Sequence, residues 1–105
     1  MTECRLCRSI DGKLVSILDL PGDILIVPQA TLGGKLKGKV MQYHNNINKD
    51  IGKTLYMKFV ECVQNAVNGS AKAVELNCKV HKGTYGNLQV LNMNTNGPYT
   101  HTIEL

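Results

Sequence analysis

Hydrophobic and polar positions change their spacing several times along the chain. Residues Met1 to Arg8 show no clear period. From Leu14 to Leu20 β-branched and aliphatic residues predominate, which predicts a strand closed by Leu20-Pro21-Gly22-Asp23. Pro at the second position and Gly at the third predict a type II turn there. Ile24 to Leu32 reads as a mostly buried strand, with Pro28 removing a backbone donor near its end. Gly33 to Asn48, rich in Gly, Lys and Asn, predicts a long loop. Beyond it, Ile51, Leu55, Phe59, Val63 and Val67 recur every four residues, and Cys62 and Ala66 widen that apolar face. This predicts one helix, capped by Asn48 or Asp50 and stopped by Asn68-Gly69. Val74, Leu76, Cys78 and Val80 then alternate with polar residues, as in a half-buried strand. Lys82 to Asn87 reads as a Gly-rich turn, Leu88 to Met93 as a strand, Asn96-Gly97-Pro98 as a tight turn, and Tyr99 to Leu105 as a last strand. Strands, one helix and strands again predict an α+β domain with a mixed or antiparallel sheet. No internal repeat or linker divides it.

Composition narrows the class. The 105 residues give a prior of one domain, and 43% hydrophobic against 19% charged residues is too apolar for a disordered chain. The longest uninterrupted apolar run, Ile24 to Val27, is far too short for a membrane span. The opening residues carry no charged-then-apolar secretory pattern, so the expectation is a cytoplasmic protein with reduced cysteines. Aromatic residues are 5% of the chain, with no Trp and a single Phe, which predicts an aliphatic core.

The net charge of +4 is localised. From Ile24 to Lys49 there is no Asp or Glu, and Lys35, Lys37, Lys39 and Lys49 all fall there. A second acid-free stretch, Leu76 to Ile103, carries Lys79, His81, Lys82 and His101. Separated basic segments fit a polyanionic partner, although a solvated lysine-rich loop accounts for them as well.

Most chemical motifs fail on inspection. Gly33 and Gly38-Lys39 have phosphate-loop spacing, but Val40 stands where Ser or Thr would hold magnesium. Cys4-Arg5-Leu6-Cys7 has zinc or redox spacing without a second ligand pair, while Cys62 and Cys78 read as core thiols. There is no nucleophile elbow, and the eight carboxylates form no acid–base pair. Neither a metal nor a cofactor is expected. If the chain is an enzyme, backbone groups and the substrate must do much of the chemistry.

Two segments are more specific: Pro28-Gln29-Ala30-Thr31-Leu32 and Thr95-Asn96-Gly97-Pro98-Tyr99-Thr100. Together they resemble the paired S-Q-x-T-L and N-x-G-P-x-T signatures of the D-aminoacyl-tRNA deacylase family. Leu18-Asp19-Leu20-Pro21-Gly22, Met41-Gln42-Tyr43-His44 and Gly83-Thr84-Tyr85-Gly86-Asn87 resemble the animal branch of that family. The likeness runs from about Asp11 to Leu105, which sets the expected domain at 11–105 after a divergent segment at 1–10.

The resemblance implies a barrel-like mixed or antiparallel sheet with one main helix. It also implies an editing hydrolase that cleaves the ester of D-aminoacyl-tRNA and, in the animal branch, of L-alanine mischarged on threonine tRNA. Gln29, Ala30 and Thr31 would form the catalytic segment, with backbone amides near the developing oxyanion. Gly97-Pro98 with Asn96 would reach the partner's pocket in a homodimer, Tyr43 would stack on the terminal adenine, and Lys35, Lys37 and Lys39 would face the tRNA. In this branch the Gly97-Pro98 peptide is implied to be trans. A ribose hydroxyl of the tRNA is implied in place of a protein nucleophile. The expected partners are aminoacyl-tRNA and a second copy of the chain, with no membrane and no DNA. Read without the family, Thr31 is an ordinary strand threonine, Tyr43 a loop anchor and Gly97-Pro98 a simple turn.

Family members carry a further N-terminal segment before the region matching Asp11, and Met1 to Arg8 does not resemble it. The expectation is therefore a domain truncated at its N-terminus. The alternative function is a non-catalytic isoform that binds tRNA or pairs with a full-length subunit.

Overall fold

A computed structural model describes residues 3–9, 11–95 and 100–104. The expected turn at Asn96-Gly97-Pro98 lies outside them, as do both ends of the expected last strand, Tyr99 and Leu105.

The framework is a parallel strand pair laid on one long helix. Strand β3 (Ile24–Ile26) pairs in parallel with β6 (Val80–Lys82), and helix α1 (Lys49–Asn68) lies between them in sequence. Two parallel strands need such a crossover, because no tight turn can join them. Ile26, Val60 and Val63 are buried together, with Ile24, Tyr56, Phe59 and Val80 half-buried around them. Phe59 and Tyr56 are the aromatic members of this cluster, so the core is mainly aliphatic, as the composition predicts.

The helix begins where expected. Asn48 Oδ1 accepts from the Asp50 N–H at 2.9 Å, which satisfies one of the unpaired donors of the first turn. Its buried face, however, is rotated from the expected one. Gly52, Val60, Val63 and Val67 are buried, whereas Ile51, Leu55 and Cys62 are exposed. The cause is geometric: at 3.6 residues per turn, a four-residue repeat precesses by about 40° per step. Ile51 and Leu55 therefore leave the side on which Val63 and Val67 sit, and Cys62 is not a core thiol. Cys78 comes closer to that expectation. It is half-buried, with its thiol 3.4 Å from the Leu20 carbonyl.

Beyond Gly69, the alternation from Val74 to Val80 does not form a strand. Ala71–Glu75 is a short helix, α2, capped by Ser70, whose hydroxyl accepts from the Ala73 N–H. Asn77 then adopts a left-handed φ of 57°, the Asn77 N–H bonds to Val74 O and the Cys78 N–H to Ala73 O, each at 3.0 Å. This is a Schellman ending, in which Asn serves where Gly is more common. Ala73 is fully buried and Val74 exposed, a helical rather than an alternating pattern.

The remaining expected strands are shorter than the residue pattern suggests. Leu14 to Leu20 divides into β2 (Leu14–Val15), antiparallel to β1 (Cys7–Arg8), and a 3-10 turn at Ile17–Asp19. Ser16 is buried at the junction, and its hydroxyl donates to the Asp19 carboxylate at 3.2 Å. Lys72 of α2 adds an exposed ion pair to the same Asp19 at 3.7 Å. Gly22 has no positive φ, so the expected type II turn is absent. Ile24 to Leu32 stays in a ladder only to Ile26, since Pro28 removes a donor and residues 30–33 turn.

Gly33 to Asn48 contains a hairpin rather than an unstructured loop. Strand β4 (Lys35–Lys37) pairs antiparallel with β5 (Val40–Gln42). Gly38 at φ +64° and Lys39 form the two-residue connection, which fits a type II′ turn, whose first central position favours Gly. The turn expected at Lys82 to Asn87 is present, with Gly86 at φ +86° and an Asn87 N–H bond to Thr84 O. Leu88 to Met93, by contrast, joins no sheet. Leu88 is 105% exposed and Val90 90%.

Among the described residues the sheets are three separate two-stranded ladders, and no barrel closes. The architecture is a mixed α/β arrangement with one main helix. Its accessible surface is 8859 Å², against roughly 5,800 Å² for a folded monomer of this mass. No helix of the described residues is long and apolar enough to cross a membrane.

Candidate active site

Strands β3 and β6 both point their carboxyl ends at one cleft. Beyond Ile26 the chain runs into Val27-Pro28-Gln29-Ala30, and beyond Lys82 into Gly83 and the turn leading to Leu88–Leu91. These two segments form the walls of a cleft of about 390 Å³, which Leu25 and Lys82 also line. In open parallel sheets, the carboxyl ends of the strands are where ligands bind.

Hydrogen bonds fix where the walls start. The Gly83 N–H donates to Ile26 O at 2.9 Å, carrying the β3–β6 pairing one residue past the ladder. The Tyr56 hydroxyl, from α1, donates to Gly83 O at 2.6 Å and lies 3.3 Å from Ile26 O. Burial pushes the Tyr56 phenol above its ordinary value, so the group stays protonated and able to donate. The absence of a side chain at Gly83 lets the walls meet: a Cβ there would sit 3.0 Å from Pro28 Cδ and against the Gln89 carboxamide.

At the other end of the strand pair, Asp23 closes the frame. Its carboxylate accepts from the Lys79 N–H at 3.0 Å and lies 2.9 Å from His81 Nε2. The His81 hydrogen bond, then that of the Lys79 amide, holds the Asp23 carboxyl below its ordinary value. The sign is that of a depressed acid: the contribution to stability is present above the unfolded-state value and fades as pH falls through the folded one.

The expected catalytic segment is divided by the structure. Gln29 and Ala30 line the cleft. Thr31 does not; it belongs to the following turn, where its carbonyl accepts from the Gly34 N–H at 3.0 Å. The backbone N–H groups of Gln29, Ala30 and Thr31 donate to no group among the described residues, and all three residues are exposed. Unpaired amides beside a cleft are the donors an oxyanion needs.

Tyr43 packs beside the same turn. A Cβ at Gly34 would lie 2.6 Å from Tyr43 Cε1, so glycine is what allows the ring to lie on the backbone just after Thr31. With 45% of its surface exposed, Tyr43 still offers a face for stacking. Lys35 and Lys37 stand on β4, and Lys39 is in the connecting turn. In the register Lys35↔Gln42, Leu36↔Met41, Lys37↔Val40, the two strand lysines share one face and Leu36 with Met41 the other. Asn96, Gly97 and Pro98 lie outside the described residues.

Sequence reasoning missed Tyr56, Lys82 and Gln89 as parts of this site. Tyr56 lies outside the four-residue repeat that marks the helix in the sequence. Lys82 is the one charged side chain lining the cleft among the described residues. A second groove, of about 480 Å³, is more apolar and is lined by Ile17, Ile24, Phe59 and Val63 among others. It holds none of the expected site residues, and its single ionisable group is Asp23. The smaller cleft, with convergent polar groups and free amides, is therefore the candidate site.

Gln29 and Ala30, whose amides have no partner among the described residues, line this cleft, and its lining among the described residues includes no Ser, His or carboxylate. The model of the D-Tyr-tRNA(Tyr) deacylase family matches residues 1–104, and the chain belongs to that family. It is 53% identical to a D-aminoacyl-tRNA deacylase 2 of Gallus gallus and 55% identical to one of Homo sapiens, each over 95% of this chain. A D-aminoacyl-tRNA deacylase of Thermosipho melanesiensis is 36% identical over 85% of the chain. The chain spans 60% of the length of the chicken and human relatives.

Proposed function

We propose that the chain is an aminoacyl-tRNA editing hydrolase that releases D-amino acids from D-aminoacyl-tRNA, and L-alanine from mischarged threonine tRNA. The single observation that carries this is the conjunction of family membership with a cleft lined by Gln29 and Ala30, whose amides have no partner among the described residues. The ester carbonyl would sit in the cleft with its oxygen toward those amides. A water oxygen adds to the carbonyl carbon, the ester C–O bond breaks, and the terminal ribose leaves with its hydroxyl restored. An adjacent ribose hydroxyl of the substrate assists the proton transfer. Tyr43 stacks on the terminal adenine, and Gly97-Pro98, with Asn96, enters the partner's pocket in a homodimer. The chain needs no metal or cofactor, and it acts in the cytoplasm on tRNA rather than on DNA or membranes.

Incubation of the folded chain with D-aminoacyl-tRNA and L-alanyl-tRNA(Thr) tests the reading through the release of labelled amino acid. The exposed apolar residues favour a second reading, a non-catalytic chain that binds tRNA or pairs with a longer copy. Tight tRNA binding without turnover identifies it.

The lysine face of the β4–β5 hairpin makes a separate, quantitative prediction. Replacing Lys35 and Lys37 together by Gln removes up to two phosphate contacts. The slope of log Kd against log salt for deacylated tRNA should then fall by about 1.4 to 1.8. A slope equal to that of the unmodified chain, measured by fluorescence anisotropy, would place the tRNA elsewhere.

A further inference from the structure

We infer that Tyr56 is a positioning residue that sets the spacing of the two cleft walls, and so the size of the amino acid the site accepts. The inference rests on the hydrolase reading for its second half only. A tyrosine hydroxyl has one hydrogen to give. Here it is directed to Gly83 O at 2.6 Å, with Ile26 O at 3.3 Å as the weaker branch. Those two carbonyls sit at the exits of β3 and β6, two residues before Pro28 and at the first residue of the opposite wall. One helix side chain therefore ties together the points from which the walls diverge.

The tie is braced from behind. Tyr56 and Tyr85 lie with ring centroids 5.8 Å apart at 34°. The Tyr85 hydroxyl rests against Gly52 of α1, where a Cβ would collide with it. Tyr85 belongs to the turn that ends at Asn87 and leads into the wall residues Leu88 to Leu91. Helix α1 thus holds this wall at two points, through Tyr56 at Gly83 and through Tyr85 in the following turn. Removing the hydroxyl alone leaves the ring contact and the Gly83 N–H bond to Ile26 O intact, so the change is local.

The test is Tyr56→Phe in the whole chain, read in two ways. The first is amide exchange, with urea unfolding measured alongside. Protection at Gly83 and Asn87, the hydrogen-bonded amides of this wall among the described residues, should fall by up to roughly tenfold, the loss expected of one hydrogen bond, while the Val60–Val67 amides of α1 keep theirs. The second is the ratio of kcat/KM for a small and a bulky D-aminoacyl-tRNA, which should shift toward the bulky substrate by about threefold or more. Unchanged protection at Gly83 overturns the inference, and so does an equal loss across α1, which would mark a purely structural bond. A local loss with an unchanged substrate ratio also overturns it. If the unmodified chain hydrolyses neither substrate, the hydrolase reading fails, while the exchange pattern still decides whether Tyr56 sets the walls.

Discussion

Replacing Val60 with Asp is expected to abolish the cooperative unfolding transition. Val60 is 2% exposed and sits at the contact of α1 with β3, beside Ile26 and Val63. The side chain itself contributes about 1.5–3 kcal/mol by burial. A carboxylate in its place has no basic partner in that cluster, and an uncompensated buried charge costs about 3–5 kcal/mol more. Folded domains have only about 5–15 kcal/mol in hand, and this core is small for its surface. Val60→Asp should therefore lose most of the helical circular dichroism at 222 nm at room temperature. Val60→Ala should remain folded, with a lower urea midpoint. A Val60→Asp chain that melts like the unmodified protein would show that the α1–β3 contact does not hold the fold.

The second large effect concerns chemistry rather than stability. Ala30→Pro removes one backbone donor from the cleft wall. That N–H has no partner within the described residues and the residue is exposed, so its loss breaks no bond of the fold. Gln29, whose conformation a following proline restricts, lies outside any helix. If the Ala30 amide stabilises the oxyanion, kcat for D-aminoacyl ester hydrolysis should fall by about 10²–10³. The melting temperature should stay close to that of the unmodified chain. Ala30→Gly keeps the donor and should retain activity. Near-normal turnover by a folded Ala30→Pro chain would remove this amide from the mechanism.

The parts legible in the sequence were those set by local rules. Asn48 capped the helix because a short side-chain acceptor precedes the apolar run, and the Gly86 turn followed from its glycines. The signature around Gln29 marked one wall of the cleft before any geometry was available. Less legible were the features decided by precession, by turn chemistry and by distant partners. The four-residue repeat from Ile51 to Val67 drifts around the helix, so it overstated the buried face at Ile51 and Leu55. Gly38-Lys39 is a hairpin connection outside the usual Asn-Gly and Asp-Gly pairs, and it hid β4 and β5 inside an apparent loop. Asn77 ended a helix where alternation suggested a strand. Leu88 to Met93 has strand composition, but strand composition creates no ladder unless another edge lies alongside. The tie from Tyr56 to Gly83 and Ile26 was invisible because it joins residues 27 and 30 positions apart.

The proposed chemistry is hydrolysis of aminoacyl-tRNA esters in the cleft beyond β3 and β6. The most direct measurement is single-turnover release of labelled tyrosine from D-tyrosyl-tRNA and L-tyrosyl-tRNA by the folded chain, beside a no-protein control. Under that proposal, release from the D-ester exceeds the control at least ~tenfold, a lowering of the barrier by about 1.4 kcal/mol or more, with the L-ester left near the control. Equal rates with and without the folded chain would contradict it.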